Sequence, residues 1–288
     1  MAYQEKYMKM AVDVAERGRY LSRPNPFVGA VIVKDSDIIG QGFTQKCGSD
    51  HAEIVALKQA GKMAQGADLY VTLEPCCHHG KTPPCTDAII KAGIKKVFAG
   101  IGDPNPEVNG KGFEILRQAG IEVEHGFMTD RIEKQLEAFL TWKKLKRPFV
   151  IMKNATSLDA RIATSTGESK WITNSESRKV VHLIRAEVSA IISGVRSVIC
   201  DDPLLNVRIN EIKHFETGEI VSGCSSPLRV ILDPFLQIPK HCLIVETAQK
   251  YPTLIVRSDQ KKFDSPGEQA NFVVKEDYLR EMGCEVIS

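Results

Sequence analysis

Hydrophobic positions along the chain switch repeatedly between a helical and a strand period. Tyr7, Met10, Ala11, Val14 and Ala15 recur at helical spacing and predict an amphipathic helix over residues 3–17, closed by Gly18. The apolar run Val28–Val33 and the segment Ile38–Gly42 read as strands joined by the polar turn Lys34-Asp35-Ser36-Asp37. A helix over 52–60 ends at Gly61, and Leu69–Leu73 follows as a buried strand. A helix over 86–92 ends at Gly93, Lys95–Gly100 is a strand, a helix over 111–119 runs to Gly120, and Ile121–Glu124 is a short strand. Strands separated by helices of this length predict a layered α/β domain with a mostly parallel sheet.

Residues 130–146 read as a last helix whose basic end, Lys143-Lys144-Leu145-Lys146-Arg147, is the usual composition of a solvated face. Pro148 then opens a strand over Phe149–Asn154, which places the domain boundary near 147 and gives domains 1–146 and 147–288. The second half repeats the alternation: a helix over 175–187, strands over 189–193, 228–233, 253–257 and 271–274, and a helix over 276–282. No internal repeat or low-complexity segment interrupts it.

Composition narrows this picture. A chain of 288 residues is long for one core, since domains hold about 100–200 residues. Hydrophobic residues at 43% and charged residues at 26% exclude disordered and fibrous classes. The 38 Lys and Arg against 36 Asp and Glu leave a net charge of +2, so bulk charge gives no reason to expect nucleic acid or an anionic membrane as partner. Glu5, Lys6, Asp13, Glu16 and Arg17 interrupt any signal-peptide core, and runs such as Phe27–Val33 fall far below the ~18 residues of a membrane span. A cytoplasmic protein is expected, where thiols stay reduced. Cys47, Cys76, Cys77 and Cys85 then suggest metal before disulfide, while the scattered Cys200, Cys224, Cys242 and Cys284 read as bystander thiols.

The chemistry concentrates in two short segments. His51-Ala52-Glu53 opens a helix, and Thr72-Leu73-Glu74-Pro75-Cys76-Cys77-His78-His79-Gly80-Lys81-Thr82-Pro83-Pro84-Cys85 comes about twenty residues later. A His-x-Glu alone is uninformative: His214-Phe215-Glu216 is a second copy with no Pro-Cys downstream. With the two cysteines the pattern becomes specific. The imidazole of His51 and the thiolates of Cys76 and Cys85 fill three tetrahedral Zn²⁺ positions and leave the fourth for water, a catalytic type of site. Glu53 is then the proton shuttle of a zinc base deaminase. A closed structural site, with Cys77 or His78 as fourth ligand, is the alternative. Adjacent residues point different ways, so only one of Cys76 and Cys77 is expected to ligate, and Pro75 favours Cys76.

His51-Ala52-Glu53 with Glu74-Pro75-Cys76 resembles the cytidine deaminase superfamily. The usual Pro-Cys-x-x-Cys spacing is replaced here by eight residues between Cys76 and Cys85. That longer loop, with Pro24-Asn25-Pro26-Phe27-Val28-Gly29 and Gly102-Asp103-Pro104-Asn105-Pro106, resembles the deaminase half of the bifunctional riboflavin biosynthesis family, the diaminohydroxyphosphoribosylaminopyrimidine deaminases and reductases. The resemblance implies that Asn25, His78, Lys81, Asp103 and Asn105 surround the substrate. An asparagine can read a pyrimidine edge, and a lysine suits a phosphate. The two Pro-Asn-Pro segments are also compatible with plain rigid turns.

In the second half, residues 152–161, Gly167-Glu168-Ser169-Lys170-Trp171-Ile172-Thr173, Arg185, and Asp201-Asp202-Pro203-Leu204-Leu205-Asn206-Val207-Arg208 assign no reaction by composition. Their order resembles the reductase half of the same family, a dihydrofolate-reductase-like fold using NADPH. The resemblance places Ser169, Arg185, Leu205 and Arg208 on the substrate, with the arginines suited to its phosphate. It places Ala155, Trp171, Ser197 and Asp201 on the nicotinamide nucleotide, Asp201 also serving as polar help at the reacting centre. Ala160 replaces a glycine usual after Ser-Leu-Asp, and the second half lacks the family's glycine-rich phosphate cradle. A C-terminally incomplete reductase domain is therefore expected, with deaminase activity retained and reductase activity impaired.

The expectation is thus a cytidine-deaminase-like three-layer α/β domain followed by a dihydrofolate-reductase-like one. It deaminates a diaminopyrimidine ribosyl phosphate with Zn²⁺ and reduces its ribosyl chain to ribityl with NADPH, as a homo-oligomer. The alternatives are a deaminase acting on another nucleoside or on tRNA, and a non-catalytic zinc scaffold.

Overall fold

The computed structural model of the chain describes residues 3–208, 212–213, 220–221, 224–260 and 262–288. It divides into two units, Met1–Asn154 with Lys213–Gly223, and Ala155–Ile212 with Cys224–Ser288.

In the first unit, α1 (Glu5–Ala15) precedes a hairpin of β1 (Gly29–Lys34) and β2 (Asp37–Phe43). Asp35 and Ser36, at φ +50° and +72°, form a two-residue turn with both central residues left-handed, the geometry that matches strand twist and makes the pair antiparallel. After α2 (Ala52–Ala60) come β3 (Asp68–Leu73), α3 (Cys85–Lys91), β4 (Lys96–Ile101), α4 (Lys111–Gln118), β5 (Glu122–His125), α5 (Thr129–Gln135) and α6 (Glu137–Leu145). The sheet order is β2-β1-β3-β4-β5. Its β2, β3, β4 and β5 all run in one direction and β1 alone is reversed, antiparallel to both neighbours, so the sheet is mixed with a single reversed strand.

Two glycines show why helices cover both faces. A Cβ at Gly29 would lie 1.9 Å from the Ala11 carbonyl of α1, and one at Gly42 would lie 2.2 Å from the Ala52 carbonyl of α2. Gly29 pairs with Phe43 and Ala30 with Gly42, so these two glycines point to opposite faces of the sheet. The result is three layers. Every residue of β3 is buried, the polar Asp68 and Thr72 with the apolar four, as suits a central strand. The expected helix over 130–146 is broken at Leu136 into α5 and α6.

The second unit holds α7 (Ser175–Glu187), β6 (Ala190–Gly194), α8 (Val195–Asp201), β9 (Leu228–Leu232), α9 (Leu243–Glu246), β10 (Thr253–Val256), α10 (Pro266–Glu281) and β11 (Glu285–Ile287). β7 (Ile212–Lys213) and β8 (Ile220–Val221) form a separate two-stranded ribbon, of which Lys213 and β8 are grouped with the first unit. The other strands form an all-parallel sheet ordered β11-β10-β9-β6. Ile231, Ile255, Val286, Ile244, Val245 and Leu279 centre its core.

Two strand expectations fail here. Residues 271–274 lie inside α10, which Ser265 starts by accepting the Glu268 N–H at 3.2 Å, with Pro266 in the first turn. Asn271-Phe272-Val273-Val274 is too short to show a decisive period, and the cap settles it as helix. Phe149–Asn154 joins no ladder among the described residues, and Val150 and Met152 are 76% and 84% exposed. Among the described residues no helix is long and apolar enough to cross a membrane.

Candidate active site

The first unit assembles its chemistry at two helix starts and one strand end. His51 is the extended residue before α2, and Gly42 lets the first turn of α2 sit directly on β2. At the end of β3 the Glu74 amide donates to the Ile101 carbonyl at 2.9 Å, carrying the β3–β4 pairing to the Pro75-Cys76 step. Cys85 begins α3 after Pro84, and its N–H points at Cys76 Sγ, 3.4 Å away. These C-terminal ends of parallel strands are where open α/β sheets build their sites.

His51 Nδ1 lies 3.5 Å from Cys76 Sγ and 3.4 Å from Cys85 Sγ. Zinc–sulfur and zinc–nitrogen bonds at a tetrahedral angle separate such atoms by about 3.5 Å, so the donor set fits zinc without rearrangement. It is the one group of three metal-ligating side chains found among the described residues. Cys77 Sγ turns away and sits 3.7 Å from the Glu107 carbonyl. The two site thiols are linked by a hydrogen bond that shifts them in opposite directions. Cys85's hydrogen bond, followed by that of His51, pulls Cys76 down against its burial, while donating to Cys76 and burial push Cys85 up. A metal bound here would take both sulfurs as thiolates, so its binding would release the Cys85 proton. Glu53 is 4% exposed, and burial first, then the Cys76 thiolate, pushes its carboxyl up to about 7, a value suited to giving and taking protons at neutral pH.

Asp103 and Asn105 follow β4 on the neighbouring loop, where the Asn105 N–H donates to Asp103 Oδ1 at 2.8 Å. Burial raises the Asp103 carboxyl, opposed by that hydrogen bond and by Lys143 and His78. Among the described residues the buried His78 Nδ1 has no hydrogen-bond partner. Asn25 sits in a turn closed by its N–H on the Ser22 carbonyl at 2.9 Å, and Lys81 Nζ lies 3.7 Å from Cys47 Sγ. No described hydrogen bond joins Asn25 or Lys81 to the His51 trio. Glu74, quoted in the sequence only as part of a motif, is buried, and its carboxylate accepts four backbone N–H groups.

In the second unit, Arg185, Leu205 and Arg208 come together. Arg185 Nη1 donates to the Asn206 carbonyl at 3.0 Å, and the Arg208 N–H donates to His182 Nδ1 at 3.2 Å. Leu205 takes a left-handed φ of +47° between them. Burial and then the two arginines hold the His182 imidazole down to about 4, so it is a neutral acceptor. Arg229, which the sequence did not single out, is fully buried and donates to the Leu204 carbonyl at 3.2 Å and to Thr253 Oγ1 through Nε at 3.0 Å. Ser197 and Asp201 are exposed on one face of α8. Trp171 is 72% exposed, with the Arg178 guanidinium 4.3 Å from its ring centre. Among the described residues no hydrogen bond, ion pair or ring contact ties Ala155 or Ser169 to the arginine cluster.

Residues 1–101 match the family described as the cytidine and deoxycytidylate deaminase zinc-binding region, and residues 148–283 match the RibD C-terminal domain. The riboflavin biosynthesis protein RibD of Aquifex aeolicus is 44% identical over 98% of this chain and 73% of its own length. That of Haemophilus influenzae is 44% identical over 97% of this chain and 76% of its own length. Among solved structures, Acinetobacter baumannii RibD is similar with a TM-score of 0.82 and 41% identity, covering 99% of this chain and 73% of that one. A Thermotoga maritima diaminohydroxyphosphoribosylaminopyrimidine deaminase/5-amino-6-(5-phosphoribosylamino)uracil reductase reaches 0.77 at 37% identity, over 98% of this chain and 80% of that one.

Proposed function

The chain belongs to the RibD family of bifunctional riboflavin biosynthesis enzymes, and from that premise we propose which of its residues perform the two reactions. It is a zinc-dependent deaminase and an NADPH-dependent reductase. The substrate of the first reaction is the phosphoribosylated diaminopyrimidine, and that of the second its deaminated uracil product, as the Thermotoga relative's activities describe.

His51 Nδ1, Cys76 Sγ and Cys85 Sγ hold the zinc. When bound, zinc supplies Lewis-acid activation of water at neutral pH. Glu53 takes one proton from the attacking water and gives it to the ring nitrogen as the oxygen adds at the amine-bearing carbon; it then carries the second proton from the added hydroxyl to the amine, whose bond to carbon breaks as ammonia leaves. Burial keeps bulk water from competing for the Glu53 carboxyl. Asn25, His78, Asp103 and Asn105 orient the pyrimidine, and Lys81 meets its phosphate. In the second unit Arg185 and Arg208 bind the ribose phosphate, with Ser169 and the Leu205 backbone beside them. Ala155, Trp171, Ser197 and Asp201 meet the nicotinamide nucleotide. The boundary between the two activities falls near residue 147. A cytoplasmic, homo-oligomeric enzyme with no nucleic-acid partner completes the reading; the net charge of +2 supports the lack of a nucleic-acid partner.

The observation that carries the deaminase assignment is the trio at 3.4–3.5 Å with a buried glutamate two residues from its histidine. Purified protein is assayed for ammonia release from the diaminopyrimidine phosphate, with zinc quantified in parallel. Glu53→Gln is expected to keep one zinc per chain and to release ammonia about 10²–10⁴-fold more slowly. Unchanged ammonia release by the variant would remove Glu53 from the reaction.

A further inference from the structure

Glu74 is 3% exposed, and its carboxylate is enclosed by backbone. Oε2 accepts the N–H of Asp103 at 3.1 Å and of Gly110 at 2.9 Å. Oε1 accepts the N–H of Gly112 at 2.9 Å and of Phe113 at 3.3 Å. None of the ion pairs among the described residues involves it, so these four amide dipoles are what the buried charge rests on. The segment they gather, residues 103–113, carries Asp103 and Asn105. It also presses onto the strand end: a Cβ at Gly112 would stand 2.2 Å from the Pro75 carbonyl. Two residues beyond Glu74 the same backbone delivers Cys76 to the metal trio.

We propose that Glu74 is a positioning residue of the deaminase, whose carboxylate fixes the 103–113 loop at a set distance from the metal-binding strand end. The inference rests on the reading above, in which Asp103 and Asn105 meet the pyrimidine. A loop held by four bonds presents both side chains already in place for substrate, and substrate then binds without first ordering the loop. The effect falls on substrate binding more than on the chemical step, because neither Glu53 nor the metal ligands depend on those four bonds. A carboxylate is required because each oxygen must accept two donors, whereas an amide offers one oxygen and turns a pair of N–H groups toward its own NH₂.

The test compares zinc-loaded wild type, E74Q and E74D. E74Q is expected to raise KM for the diaminopyrimidine phosphate about tenfold or more while kcat stays within about threefold and zinc stays at one per chain. E74D, which keeps both oxygens, is expected to recover part of the KM. Hydrogen exchange at the Gly110 and Gly112 amides is expected to quicken about tenfold or more in E74Q. An unchanged KM, or kcat and zinc falling together, overturns the proposal, as does unchanged exchange. If E74Q does not fold, G112A serves instead: it keeps the carboxylate but pushes the loop off Pro75, and the same KM-selective loss is expected, its absence counting against the proposal. Failure of the wild type to release ammonia would instead sink the deaminase reading, while amide exchange still reports on the loop.

Discussion

An imidazole wedged between two arginines has little room for a proton, and His182 occupies such a place. Burial, then Arg185 and Arg208, hold it down to about 4 from an ordinary 6.5. The folded state keeps it neutral where an unfolded chain takes a proton up, so its contribution to stability is complete above about 6.5 and is lost as pH falls toward 4. The unfolding midpoint is expected to drop across that window, and His182→Gln to remove part of the drop, measured by denaturant titration at successive pH values. Legibility differs sharply between such residues. His51, Glu53, Cys76 and Cys85 stand out in the sequence because their side-chain types carry the chemistry and fall in two short motifs, although His51 lies 25 and 34 residues from the two cysteines. Glu74 and Arg229 do not. The partners of Glu74 lie 29 to 39 residues away and are backbone amides, which every residue but proline possesses. Arg229 likewise binds carbonyls and hydroxyls that no motif marks.

At the level of elements, the expectations hold where a hydrophobic period is long or a glycine closes it. The helix over 175–187 coincides with α7, and β1, β3 and β9 lie within a residue or so of their expected ends. They fail where a short, mostly apolar run must be judged by its surroundings. Residues 271–274 belong to a helix because Ser265 and Pro266 begin one, and Phe149–Asn154 has strand composition but no described partner strand. Contact between elements is equally hard to foresee, and Gly42 is the clearest case. Its missing Cβ allows α2 to approach β2, and His51 and Glu53 sit at the start of α2. Gly42→Ala is expected to cost about 1–3 kcal/mol of stability through overpacking. It should also weaken zinc binding, because His51 moves with the helix, and a zinc titration alongside chemical denaturation reads both effects.

Across the whole molecule, each unit builds its own core and its own cluster of polar groups, so the two activities should be separable by mutation. Arg185→Met is expected to raise KM for ribosyl reduction about tenfold or more, through loss of a charged phosphate contact, and to leave ammonia release unchanged. Coupled assays of NADPH consumption and ammonia release on one preparation would show whether the effects stay apart. The metal trio has a consequence of another kind. His51 stands 25 residues from Cys76 and 34 from Cys85, so the three ligands meet only once α2 has docked on the hairpin and β3 has joined the sheet. An ion gripped that late adds little to the folding barrier and much to the unfolding barrier. Zinc is then a brake on unfolding: a chelator should speed denaturation in stopped-flow experiments and leave the refolding rate where it was.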